Sequence, residues 1–197
     1  MSMTTLARAG ACALAGCIAL SAPAFAHITA QPNQAMWGHY FQTSFSVPHG
    51  CDGAATTSIK ISIPEGLVSV KPQMKPGWKI KLTMRKLETP VKGDGGRMIT
   101  ETVSEVEWKG GPLPDAYYDT FGLVMKLPPM PDHDMAGMDK GMPVYFPVVQ
   151  TCQTGMNKWV NIPAAGQAWH DVKDPAPYVN VLPDQDGGMG DMGNMKH

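Results

Sequence analysis

A β-sandwich is predicted by three features of the chain: segments that alternate polar and apolar residues, turn residues between them at short intervals, and no sustained helical period before residue 163. Gly and Pro supply 39 of the 197 residues, too many for a helical bundle and typical of turns that join short strands. A hydrophobic share of 43% suffices for one core, and the length is that of one domain. With 16 Lys and Arg against 17 Asp and Glu the formal charge is −1, so there is no nucleic-acid footprint.

Residues 1–26 are expected to be removed. MSMTTLAR carries one positive charge, AGACALAGCIALSA is an uncharged run of apolar and small residues, and PAFA ends in the A-x-A pattern that signal peptidase cuts. The run is too short and too rich in Ala and Gly to span a membrane. Cleavage after Ala26 leaves 171 residues and makes His27 the first of them; only Arg8 is lost, leaving 15 basic against 17 acidic residues. A rival site is Leu14-Ala15-Gly16-Cys17, where lipoprotein processing would lipidate Cys17 and forgo a free His27. A periplasmic or secreted location follows from the first route.

From His27 onward the alternation predicts strands over 40–47, 58–63, 78–82, 99–108, 120–125, 144–149 and 159–162, each bounded by turn residues. Two stretches break this rhythm. Residues 128–143, PPMPDHDMAGMDKGMP, place Met130, Met135, Met138 and Met142 around His133 in a Pro, Gly and Asp background that excludes a strand. The tail, residues 184–197, carries Met189, Met192, Met195 and His197, and its composition predicts disorder. The expected organisation is a signal peptide over 1–26, one sandwich domain over 27–183 with a Met-rich insert at 128–143, and the tail.

Cys51 and Cys152 are the only cysteines beyond the signal. In an exported protein such a pair predicts one disulfide, the alternative being two buried thiols. There is no CxxC and no paired Cys/His spacing, so a structural zinc site is not supported. Nor does the chain hold a Walker A loop, GxGxxG, GxSxG or HExxH, and its acidic residues have no catalytic spacing. The expectation is a protein that is not an enzyme.

The chemistry that remains is metal binding. A mature His27 offers an α-amino nitrogen with a pKa of about 8 and an imidazole nitrogen on one residue, a chelate suited to Cu(II). Alternatively His27 merely follows the cleavage site. Thirteen methionines lie beyond the signal, and seven of them sit in the two Met-rich stretches, where no core awaits them. Thioether sulfur selects Cu(I), so Met130, Met135, Met138, Met142, Met189, Met192 and Met195 are candidate ligands for it. Met98 and Met125, within strands, read as core filler. Trp78, Trp108 and Trp169 read as packing or edge cover, Trp37 as either packing or part of a site, and Asp115 and Asp119 as solvated turn acids.

The start HITAQP at residues 27–32, then VPHGC at 47–51, PEG at 64–66, KPGW at 75–78, WKGGPLPD at 108–115 and YFPVVQTC at 145–152 together resemble the YcnI-like copper-binding domain family, over His27 to about Pro163. That resemblance implies an exported β-sandwich that binds Cu(II) through a monohistidine brace: amino and imidazole nitrogens of the mature N-terminal His, a carboxylate, and a nearby Trp. Residue by residue it implies His27 as the brace and Trp159 as the neighbouring indole. The family's carboxylate follows the Val-Pro of the first long strand, and here that loop reads Val47-Pro48-His49-Gly50-Cys51-Asp52, with no Glu. His49 replaces it, or Asp52 does, or neither. The function so implied is a copper carrier or buffer, a metallochaperone in copper homeostasis, whose partners are copper ion and other exported copper-handling proteins. A copper-dependent redox enzyme and a metal-free adhesion module are the alternatives.

Overall fold

The computed structural model describes residues 27–130 and 140–183. The expected signal peptide, His133, Met135, Met138 and the tail with Met189, Met192, Met195 and His197 lie outside the described residues. Among the described residues twelve strands run in chain order: β1 (Thr29–Gln31), β2 (Gln34–Met36), β3 (Tyr40–Val47), β4 (Thr56–Ser62), β5 (Val68–Pro72), β6 (Trp78–Lys92), β7 (Met98–Leu113), β8 (Asp119–Lys126), β9 (Met142–Tyr145), β10 (Val148–Cys152), β11 (Met156–Trp159) and β12 (Tyr178–Leu182). Among the described residues no α-helix occurs; short 3-10 turns stand at Asp94–Gly96 and Trp169–Asp171. The all-β sandwich predicted from the alternation is the observed fold.

Two sheets make the sandwich, a four-stranded one in the order β1-β3-β8-β5 and a five-stranded one in the order β11-β10-β4-β7-β6. Alternation fixes which residues meet. On β3 and β8, Phe45 pairs with Phe121; on β4 and β7, Ile59 pairs with Trp108 and Ile61 with Val106. These side chains are fully buried or nearly so and form one apolar cluster between the sheets. The Trp108 ring stands 5.5 Å from Phe121, and Phe45 stands 5.3 Å from Phe146, distances at which aromatic pairs add to their burial. A third sheet, β2-β12-β9, is small, and in it β2 runs parallel to β12.

Four segments differ from expectation. The single strand expected over 144–149 is two strands in different sheets, β9 and β10, because Pro147 has no N–H to continue a ladder and Phe146 turns fully into the core. The expected strand at 159–162 ends at Trp159; beyond it Val160 and Asn161 donate their N–H groups to the Asp174 carbonyl, a loop contact. Met142 and Pro143 open β9 rather than staying in a strandless insert, and Pro143 is tolerated because β9 is the edge of its sheet. Met98, expected in the core, is 54% exposed, whereas Met125 is fully buried as expected.

Candidate metal centre at the N-terminal edge

His27 lies two residues before the start of β1. Ile28 is fully buried and pins the chain there, so alternation leaves His27 half-buried at the rim of the sandwich. β1 lies antiparallel to β3, with Thr29 opposite Ser46. Carrying that register back brings His27 level with Pro48, the residue before His49.

His49 sits in the connection that carries the chain from one sheet to the other. Three features fix that connection. Cys51 and Ala54 exchange N–H and C=O bonds of 3.0 and 2.9 Å around Asp52-Gly53, both with positive φ (48° and 85°), as the tightest hairpin turn requires. The Gly50 N–H donates to the Asp115 carboxylate at 2.8 Å, and a Cβ at Gly50 would collide with the Ala54 carbonyl, so only Gly fits beside His49. The Cys51 and Cys152 sulfurs stand 2.06 Å apart, at bonding distance, across a sequence separation of 101 residues.

Trp159 closes the site. It ends β11 opposite Val148, is 4% exposed, and makes ring contacts with both imidazoles. The His27 ring centroid lies 5.8 Å from it at 89°, and that of His49 lies 6.3 Å from it at 67°, both edge to face. A second indole, Trp169, stands 5.2 Å from His27. Its own N–H donates to the Ala176 carbonyl at 2.7 Å, which fixes it as a wall of the site rather than loose edge cover.

The tautomer of His49 follows from its partner. Nδ1 lies 2.7 Å from the Gly50 carbonyl oxygen, which accepts only, so Nδ1 carries the proton and, in the neutral ring, Nε2 carries the lone pair. An Nδ1–H held by a backbone carbonyl is the outer-shell arrangement common to metal-ligating histidines. The donors therefore fit copper in kind: imidazole nitrogens, joined by an α-amino nitrogen wherever His27 is the first residue.

The remaining sequence-derived candidates are distributed differently. Asp52 is exposed at the tip of its turn, and among the described residues no group of three or more His, Cys, Asp or Glu side chains is placed to hold a metal ion. Asp115, expected as a solvated turn acid, instead anchors Gly50, and Asp119 pairs with Lys75 at 2.6 Å. Met130 is half-buried against the apolar cluster, while Met142 is 39% exposed on β9. Trp37 is 7% exposed within the core, so it is packing.

Two contributors escaped sequence reasoning. Trp169 carries no periodic signal, since it lies in a short 3-10 turn. Gln150 did leave a trace: in Val148-Val149-Gln150-Thr151-Cys152 it is the polar member of the inward row, and it is 1% exposed.

The model of a family described as a domain of unknown function, DUF1775, matches residues 27–181. No curated protein matches the chain. The crystal structure of an uncharacterized protein from Nocardia farcinica, reported to reveal an immunoglobulin-like fold, is similar at a TM-score of 0.55 and 23% identity, over 79% of this chain and 98% of that one.

Proposed function

The chain belongs to the DUF1775 family, and on that premise we propose that it is an exported copper-binding protein, a carrier or buffer that takes Cu(II) at a mature N-terminal His27. One observation carries the reading: the histidine at which the family match begins and the histidine of the inter-sheet turn both lie against the buried Trp159 indole. The same family stands behind the YcnI-like resemblance of the sequence. Among the described residues no helix is long and apolar enough to cross a membrane.

In this reading His27 supplies two nitrogens and His49 supplies Nε2. Trp159 and Trp169 shield the His27 ring from water, which strengthens each donor's interaction with a cation. With few side-chain donors gathered, coordination positions stay open, as suits a metal that is cargo and must be handed on. Bringing the α-amino group into the set requires it to lose a proton, so Cu(II) uptake weakens as pH falls. Met142 and the Met-rich stretches add thioether sulfur, suited to Cu(I), which needs no such loss.

The experiment has two parts. The intact mass of the exported protein should begin at His27; a lipidated Cys17 would overturn the brace. Cu(II) competition titrations should then show that one extra residue before His27 abolishes the tight site, because the amine becomes an amide. Equal affinity in that extended protein would defeat the reading. Binding no tighter than non-specific in both would favour an adhesion module, and catalytic oxidation of a reductant by the copper-loaded protein would favour a redox enzyme.

A further inference from the structure

Gln150 belongs to the inward-facing row of β10, between Val148 and Cys152, where an apolar residue would be the ordinary occupant. A buried carboxamide is costly unless its donors and acceptor are used. Here Nε2 donates to the His49 carbonyl at 2.7 Å and to the Thr56 hydroxyl at 2.9 Å, while Oε1 accepts the Trp159 indole N–H at 3.1 Å. The orientation of the amide is settled twice over. A carbonyl only accepts, so the NH2 faces His49; an indole N–H only donates, so the oxygen faces Trp159. An ionised Glu would lack the donor, and Leu would lack both donor and acceptor.

Resting on the copper reading above, we propose that Gln150 is a positioning residue of the metal centre: its side chain bridges the backbone of His49 to the indole of Trp159 and so sets where the second imidazole stands relative to His27. The bridge explains why a polar group is kept inside this sheet. It joins, with two short bonds, elements that are far apart in sequence: the inter-sheet turn and β11. Thr56 completes the arrangement from β4 and is itself fully buried. Gln150 therefore acts on a metal through His49 and Trp159 and need not touch it.

The test is a double-mutant cycle in the full mature protein, read by Cu(II) competition titration. Gln150→Leu is near in size and removes the bridge. In the wild-type background it should weaken Cu(II) binding about tenfold, the low end of what loss of an outer-shell partner costs. In a His49→Ala background it should change affinity by less than about twofold, because the residue through which it acts is gone. In the copper-free protein the same variant should speed hydrogen exchange at the Trp159 indole N–H. Unchanged affinity in the first background, or equal losses in both, would overturn the proposal; the latter would make Gln150 a general packing residue. If Gln150→Leu does not fold by circular dichroism, Gln150→Glu takes its place with the same two outcomes, since its carboxylate keeps the Trp159 bond and loses the donor to His49. A wild type that shows no His27-dependent Cu(II) binding overturns the site reading and this inference with it, whereas His27 dependence without the Gln150 effect overturns this inference alone.

Discussion

The two edges of the five-stranded sheet manage the same liability in opposite ways. At one edge β11 is four residues long, and its Trp159 is 4% exposed beneath the loop that bonds through Asp174 and Asn161. At the other edge β6 runs for 15 residues, and Leu82 and Met84, on the row that continues Trp78 and Ile80, are 43% and 48% exposed. There Lys79, Lys81, Arg85 and Lys86 discourage strand addition by charge. The groove of Met74, Lys75, Pro76, Trp78 and Ile80 beside β6 is open and apolar. The covered edge shelters polar bonds in a dry setting and can therefore fix donor atoms. The open edge is held by surface contacts that water competes with.

Loss of the cysteine pair should separate the edges most. Replacing Cys51 and Cys152 together by Ala is expected to cost about 2–5 kcal/mol of unfolding free energy, because the closed loop is long. Urea unfolding measures the loss, and thiol labelling of the unfolded, unreduced wild type should find no free thiol. Full labelling at both positions would remove the staple from this account.

A smaller effect is expected from Trp159→Phe, which keeps an aromatic side chain but deletes the N–H together with the pyrrole part of the indole. Gln150 Oε1 then lacks its partner in a buried setting, at a cost of about 1–3 kcal/mol. Leu82→Gln on β6 should stay within about 0.5 kcal/mol, as an exposed change that breaks no bond. If the two substitutions destabilise equally, the contrast between the edges is wrong.

The smallest effect concerns the β6–β7 hairpin tip, where Asp94 accepts from Lys126 at 2.7 Å and from the Tyr40 hydroxyl at 2.9 Å. The Lys126 bond first, then the Tyr40 bond, holds the Asp94 carboxyl below its ordinary range. A depressed folded-state value gives stability that is present above the ordinary carboxylate range and is lost as pH falls through the lowered one. Both groups lie at the surface, so the contribution is small. NMR titration of Lys126→Ala should return Asp94 toward its ordinary value, with little change in the melting midpoint at neutral pH. An unmoved Asp94 titration would show that the pair is not formed in solution.

The covered edge was also the less legible one. Alternation made β3, β4, β7 and β8 readable because each has one face in the core, and length made them unambiguous. β1, β2 and β12 are three to five residues long, too short for a period to stand out. The misreading at 144–149 has the same origin: an apolar run says that residues are buried, and only Pro147 hints that they are buried in two places. His27, His49 and Trp159 were each named from the sequence, but their meeting depends on the β1–β3 register and on β10 pairing with both β4 and β11. Trp169 matters only through that assembly and no local pattern marks it, while Gln150 leaves only the trace of a polar residue in an inward row, whose meaning the assembly supplies.

The parallel pairing of β2 with β12 joins the beginning of the domain to its end, with Gln34 opposite Asn180. Time then enters the chemistry. His27 is made first, yet Trp159 and Trp169 come last, so roughly 130 residues must be synthesised and folded before the histidine has its surroundings. A chain still emerging carries His27 on an unformed strand, with neither indole beside it. On the proposed reading, the tryptophan-walled copper site would therefore be complete only in the finished domain.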